Sequence, residues 1–303
     1  MKKLMEQLTL SKDLIKASGN APHIIKASAD MLESTHITGI GITGINPENV
    51  GYIPSKGDNS SSILDYLPKV SVNSATVVIT NEVSDDGSPD IVDEGDGKPQ
   101  IDFDDEVSKP TLKKFAEYIK ISEEMINDIS FMDSQIRGVL MRRLRNTIAD
   151  SFMVDLLAAA PKYNAANLTA GTTGTLVKDI LPAVTADMQD LGGYSMNLWM
   201  LPQPDYAKMF NEAGTNFLWY ALNEPTIMNN NNVTAGNIVA IDSSMFPLYV
   251  YKDMDIQFGR EGDDMTKNMI TVRCESRIGW NIDGNSLQAL YNDTISATLA
   301  AIL

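Results

Sequence analysis

Apolar residues recur at helical spacing in some stretches of the chain and at alternate positions in others, and these two rhythms set the expected order of elements. Leu4, Leu8 and Ile15, then Ile24, Ala27, Met31 and Leu32 after the Gly19-Asn20 break, predict two short amphipathic helices. Residues 37–62 carry Gly39, Gly41, Gly44, Pro47, Gly51, Pro54 and Gly57, a composition suited to an extended, irregular arm. Val70 to Val83 is dense in β-branched residues, and Gln100 to Ser122 alternates through Ile101, Phe103, Phe115, Ile119 and Ile121. The two read as arms of a long hairpin, closed by Ser84 to Pro99, a loop rich in Asp, Gly and Pro.

The most regular pattern follows. Ile136, Leu140, Leu144, Ile148, Phe152 and Leu156 form one stripe of a helix expected over 134–160, with Asp133 and Ser134 available as caps and Pro161 past its end. At ~1.5 Å per residue it would run ~40 Å and act as a structural axis. Val177, Ile180, Leu181, Val184, Met188 and Leu191 predict a second helix, kinked by Pro182 and stopped by Gly192-Gly193. Short strands at Met196–Leu201, Asn237–Ile241 and Leu248–Tyr251, with a helical piece after Pro204, describe a compact α/β block. In Thr271–Ile278 a period of two sets Arg273, Glu275 and Arg277 on an ionic face, opposite Val272, Cys274 and Ile278.

Composition narrows the function. The 303 residues hold 43% hydrophobic and 21% charged positions, as in a globular chain, and a net charge of −16 disfavours a dedicated nucleic-acid binder. One cysteine, Cys274, excludes an intrachain disulfide and any zinc site of paired cysteines, and suits a protein made in the cytosol. The two histidines, His23 and His36, leave little material for a His-dependent triad or a two-His metal site. No secretory h-region follows Lys2 and Lys3, and no stretch approaches the ~20 apolar residues that span a bilayer.

Several motifs invite chemistry and lack its context. Gly39-Ile40-Gly41-Ile42-Thr43-Gly44 fits the dinucleotide fingerprint, but Ile45 to Gly51 contains Pro47 and cannot supply the helix whose N-terminus would meet a pyrophosphate. A nicotinamide-dependent oxidoreductase therefore rests on Gly39, Gly41 and Gly44 alone. Eleven acids between Glu82 and Glu106 face one base, Lys98. A calcium loop starting at Asp102 fails because Val107 and Lys113 stand where Gly and Glu are required. The acids read either as a solvated loop or as a projecting arm, with Asp85, Asp86, Asp93, Glu94 and Lys98 as candidate contacts to a basic neighbouring surface. Arg137, Arg142, Arg143 and Arg145 on the long helix read as surface pairs with nearby acids, or else as contacts to phosphate or an adjacent subunit. No catalytic, cofactor-binding or metal-binding residue is assigned.

The order of irregular arm, acidic hairpin, long helix, α/β block and closing strands resembles the major capsid proteins of tailed phages with the Hong Kong 97 fold. The resemblance is carried by Ile101-Asp102-Phe103-Asp104 leading to Ala116-Glu117-Tyr118-Ile119-Lys120-Ile121-Ser122-Glu123-Glu124-Met125-Ile126-Asn127-Asp128, and by Lys267 to Gly279 with Thr271-Val272-Arg273-Cys274-Glu275-Ser276-Arg277 at its centre. It covers roughly residues 50 to 295. It implies an α+β fold with an N-terminal arm at 1–70 and an extended loop at 71–108. The peripheral domain would be 109–174 with 255–303, built on the spine helix, and the axial domain 175–254.

The implied function is that of a non-enzymatic shell protein assembling into pentamers and hexamers around double-stranded DNA in the virion, after synthesis in the bacterial cytoplasm. Portal and separate scaffold proteins would be its partners, since only about 70 residues precede the extended loop, and DNA would be met by non-specific contact. No cofactor and no membrane are implied. Encapsulins, bacterial nanocompartments of the same fold, are the nearest alternative.

Overall fold

The computed structural model describes residues 62–94, 96–128, 132–170, 177–211 and 225–303. The two expected N-terminal helices, most of the arm and the glycine motif at 39–44 lie outside the described residues. The strands of the described residues form three sheets. β1 (Lys69–Ser71), β8 (Leu248–Gly259), β9 (Met269–Trp280) and β4 (Lys113–Ser122) make one in the order β1-β8-β9-β4. β10 (Leu290–Thr294), β7 (Asn237–Ile241), β5 (Leu198–Leu201) and β6 (Thr226–Asn229) make another in the order β10-β7-β5-β6. Among the described residues β2 (Ile79–Asp86) and β3 (Asp102–Ser108) pair only with each other. The helices of the described residues are α1 (Glu123–Asp128), α2 (Met132–Ala158), α3 (Val177–Gly192), α4 (Gln203–Asn211) and α5 (Ile295–Ile302).

The expected axis is α2, 27 residues long and displaced by two residues from the expected limits. Its stripe is the buried face: Ile136, Leu140 and Leu144 are nearly closed to solvent, and Ile148, Phe152 and Leu156 completely so. Contacts divide the chain into two compact units. One contains Phe115–Arg145 and Met254–Ser276; the other contains residues 62–114, Asn146–Asp253 and Arg277–Leu303.

The second unit is organised by α3, whose Val177, Ile180, Leu181, Val184 and Met188 are fully buried beside Trp199 and Leu201 of β5. Pro182 sits inside this helix and contributes no N–H to its ladder. Gly193, at φ +72, takes the left-handed conformation that ends it, its N–H donating to the Gln189 carbonyl at 2.9 Å. β5 is buried along its whole length, parallel to β6 and antiparallel to β7. β10 pairs antiparallel with β7, and α5 adds Ile295 and Ile302 to the same core. β10 and α5 thus help to close the core around α3. Tyr291 is fully buried, and its hydroxyl shares a 2.7 Å hydrogen bond with Thr298.

The hairpin is shorter than the sequence suggests. Val70 belongs to β1, which runs parallel to β8 with Lys69 opposite Leu248, and β3 stops at Ser108. Pro110 offers no N–H, so the alternation beyond it restarts as β4 in a different sheet. Near the start of β4, Asp155 on α2 accepts from Lys113 Nζ at 2.5 Å and from Trp280 Nε1 at 2.8 Å. Lys113 Nζ also lies 4.9 Å from the Trp280 ring centroid, and Phe152 meets that ring edge-on at 5.5 Å.

In the first unit Asp264 is closed to solvent and gathers three donors: Lys120 Nζ at 2.8 Å, Thr271 Oγ1 at 2.6 Å and the Glu261 N–H at 2.8 Å. The Lys120 and Thr271 hydrogen bonds, then the Glu261 amide, push its pKa down to about 2. Asn268, in the left-handed conformation at φ 51, turns the chain into β9 and presents its carbonyl to the Glu123 N–H at 2.9 Å. On β9, Val272 and Cys274 are buried as expected, but the ionic face is drier than the alternation suggests, with Glu275 only 9% exposed.

Two outcomes follow. Phe152→Ala should lower unfolding free energy by about 3–5 kcal/mol in urea titrations, since it empties a fully buried aromatic site. Because the Asp264 pKa is depressed in the folded state, its stabilisation is present above the ordinary carboxylate range and is lost as pH falls from about 4 toward about 2. Asp264→Asn should flatten the pH dependence of the thermal midpoint over that window and leave the neutral-to-alkaline limb unchanged in shape.

Candidate functional site

The β2–β3 hairpin builds the most exposed feature among the described residues. Its strands pair from Ile79 opposite Ser108 to Asp86 opposite Asp102, with a bulge between Glu82 and Ser84. Glu82 stands directly opposite Asp105, and like charges in that relation weaken a ladder. Every β3 residue from Asp102 to Val107 is exposed, including Phe103 at 63%. Ile101 and Val83 are exposed to a similar degree, and Ile91 in the connection is 95% exposed. A two-stranded ribbon with this surface buries no core of its own.

Asp85 and Asp86 end β2, opposite Phe103 and Asp102 in the register. Asp93, Glu94 and Lys98 lie exposed in the connection between the strands, where the Asp96 N–H donates to the Asp93 carbonyl at 3.2 Å. The structure therefore gathers the acidic candidates on one projecting segment.

The arginines share α2 without sharing an environment. Arg137 Nε is held by the Asp133 carboxylate at 2.9 and 3.1 Å, and its guanidinium lies 4.6 Å from the Phe258 ring centroid. Arg143 Nε approaches Glu117 Oε2 at 3.4 Å. Arg142 and Arg145 are half-buried and engaged within the chain. Burial pushes the Glu117 carboxyl up from its ordinary value, and Arg143 partly opposes the shift. For Arg137 and Arg143 the expectation of pairing with nearby acids is what the geometry displays.

Sequence reasoning missed the exposed aromatic and aliphatic residues of the hairpin and the amides at its root. Asn81 Nδ2 donates to Ser108 Oγ at 3.1 Å, and Asn285 Nδ2 donates to the Glu82 carbonyl at 2.8 Å. Phe103 and Val107 carried a signal, being apolar residues alternating with acids in a strand that has no second layer to face. Asn285 carried none, because its partner lies 203 residues away.

Among the described residues no grouping of three or more His, Cys, Asp or Glu is arranged to hold a metal ion, and no helix is long and apolar enough to cross a membrane. A long buried-stripe helix, a four-stranded sheet with a buried central strand and a projecting acidic ribbon together make the Hong Kong 97-like capsid fold. Solved structures share it. The capsid of an empty GTA particle superposes with a TM-score of 0.61 at 13% identity, covering 82% of this chain and 94% of that one. A structure from Mycobacterium phage Bobi gives 0.58 at 15% identity, with 84% and 95% covered, and the capsid of cyanophage P-SCSP1u gives 0.59 at 9%, with 89% and 98% covered.

The chain belongs to the Phage capsid family, whose sequence pattern matches residues 44–286. It is a structural capsid protein, and neither the dinucleotide reading of Gly39 to Gly44 nor the encapsulin alternative is favoured by this membership. A search of curated protein sequences returned no match.

If Arg143 serves Glu117 within the chain, Arg143→Ala should move the Glu117 titration further upward in carboxyl NMR, since it removes the opposing charge. An unchanged Glu117 titration would show that the pair is not formed in solution.

Proposed function

We propose that this capsid protein assembles into pentamers and hexamers that close into an icosahedral shell around double-stranded DNA. The observation that carries the reading is the hairpin: eleven acids and an exposed Phe103, Ile101 and Val83 on a ribbon that cannot bury them within its own chain. A neighbouring subunit supplies the missing burial, and the acidic side chains, Asp85, Asp86, Asp93 and Glu94 among them, select a basic patch on it. Arg137, Arg142, Arg143 and Arg145 are the helix residues offered as that patch, each of them also engaged within its own chain.

In this reading residues 1–70 are the arm, 71–108 the extended loop, 109–174 with 255–303 the peripheral domain and 175–254 the axial domain. Portal and separate scaffold proteins direct assembly in the bacterial cytoplasm. The net charge of −16 suits a container that must hold nucleic acid without gripping it, because phosphate contacts grow with Lys and Arg. No reaction is catalysed.

Negative-stain electron microscopy with light-scattering mass, over a range of protein and salt concentrations, tests the reading. Closed particles or ring-shaped capsomers are expected. A monomer or dimer under every condition, carrying bound nicotinamide cofactor, would overturn it. Replacing Ser84 to Pro99 by a short turn should leave a folded, soluble protein that forms no closed shells; normal shells from that variant would show that the hairpin is not an assembly element.

A further inference from the structure

The hairpin meets the rest of its unit through a chain of amides. Asn285 Nδ2 donates to the Glu82 carbonyl on β2 at 2.8 Å, and Gln288 Nε2 donates to Asn285 Oδ1 at 3.0 Å. The Asn285 carboxamide is held from both ends: with its oxygen taken by Gln288, its nitrogen faces the strand. Both residues sit on the 3-10 turn Gly284–Ala289, which has its own anchors, since Ser286 Oγ donates to the Asp283 carbonyl at 2.7 Å and Ala289 is fully buried. Gly284 has φ +56, and a Cβ there would lie 2.7 Å from Asn81 Nδ2, so a side chain at 284 would have to displace the Asn81 carboxamide. Asn81 in turn ties the two strands together through Ser108.

Beside this contact lies a cavity of about 380 Å³, lined by Asn81, Val83 and Glu106 from the hairpin and by Ala160, Lys162 and Leu287 from the rest of the unit. A gap of this size is not filled by packed side chains, so the hairpin root has room to tilt across it. The bulge between Glu82 and Ser84 bends β2 next to the carbonyl that Asn285 holds. A bend, an adjoining space and one side-chain donor thus occur at a single point.

We propose that Asn285, oriented by Gln288, is a positioning residue that sets the direction in which the acidic hairpin leaves its unit, and that its release lets the hairpin swing over the adjoining cavity. The consequence for assembly rests on the function proposed above: a hairpin held in one direction offers every neighbour the same surface. Losing one hydrogen bond of this kind raises the population of the released hairpin about fivefold.

The test measures hairpin direction in the unassembled subunit. Spin labels are placed by Phe103→Cys on β3 and Ala300→Cys on α5, both exposed positions, while the natural Cys274 is buried and a singly labelled control reports on it. Double electron–electron resonance should give one narrow distance with Asn285 in place. Asn285→Ala should broaden it or add a second distance. Asn285→Asp, which trades the donor for a carboxylate, should do so at least as strongly, and Gln288→Ala should fall between. Thermal midpoints check folding, and Gln288→Ala carries the test if the Asn285 variants do not fold, because it leaves the atoms of the Glu82 contact in place. Identical distributions in every folded variant overturn the proposal. Particles of mixed size from Asn285→Ala would connect the latch to assembly; whether or not the parent chain forms particles without a scaffold, the spin-label distances decide the latch.

Discussion

A two-stranded ribbon in water is marginal because the hydrogen bonds of one ladder barely offset the order they impose. The β2–β3 hairpin works under that constraint with an added cost, since Glu82 faces Asp105 across the ladder and the β3 side chains from Asp102 to Val107 project into solvent. Much else in its unit can be understood as what is needed to carry such an element. Asn81 and Ser108 tie its strands together at the base, Gly284 permits close approach, and the turn that touches it is pinned by Ser286 and the buried Ala289. The apolar burial that the hairpin lacks is concentrated around α3 and β5, where the buried side chains pack without reference to it. Under the function proposed above the arrangement has a sense: surface left open on one chain is surface available to the next.

The long helix was the most legible element because its stripe repeats through six positions from Ile136 to Leu156, and a pattern of that length excludes a strand. α3 and its Gly193 stop were legible for the same reason, a periodic run ended by residues that tolerate the left-handed conformation. The hairpin was legible in kind and wrong in extent. Alternation continues from β3 into β4 without a change of period, so only Pro110 marked the passage from one sheet to another, and a single proline does not say which partner follows. β1 was harder still, since three residues paired with a strand nearly 180 positions later leave no local trace.

Of the candidate contacts, what the sequence made visible was charge. Clusters of Asp, Glu and Arg can be counted along a chain, but their engagement depends on neighbours brought by folding: Arg137 and Arg143 found Asp133 and Glu117, one by helical spacing and one between helix and strand. The Asp264 centre was invisible for a related reason. Lys120, Glu261 and Thr271 come from three separate stretches, and nothing in any one of them marks a shared carboxylate.

The contribution of β10 and α5 to the core around α3 bears on the order of events in a cell. Tyr291, Ile295 and Ile302 cover apolar surface presented by α3 residues made more than a hundred positions earlier. While the ribosome is still working toward them, α3 and β5 have no complete partner, and contacts this distant in sequence form slowly. Until this segment is translated, that apolar face lacks part of its cover, so the packing of the unit is completed only once the segment has left the ribosome.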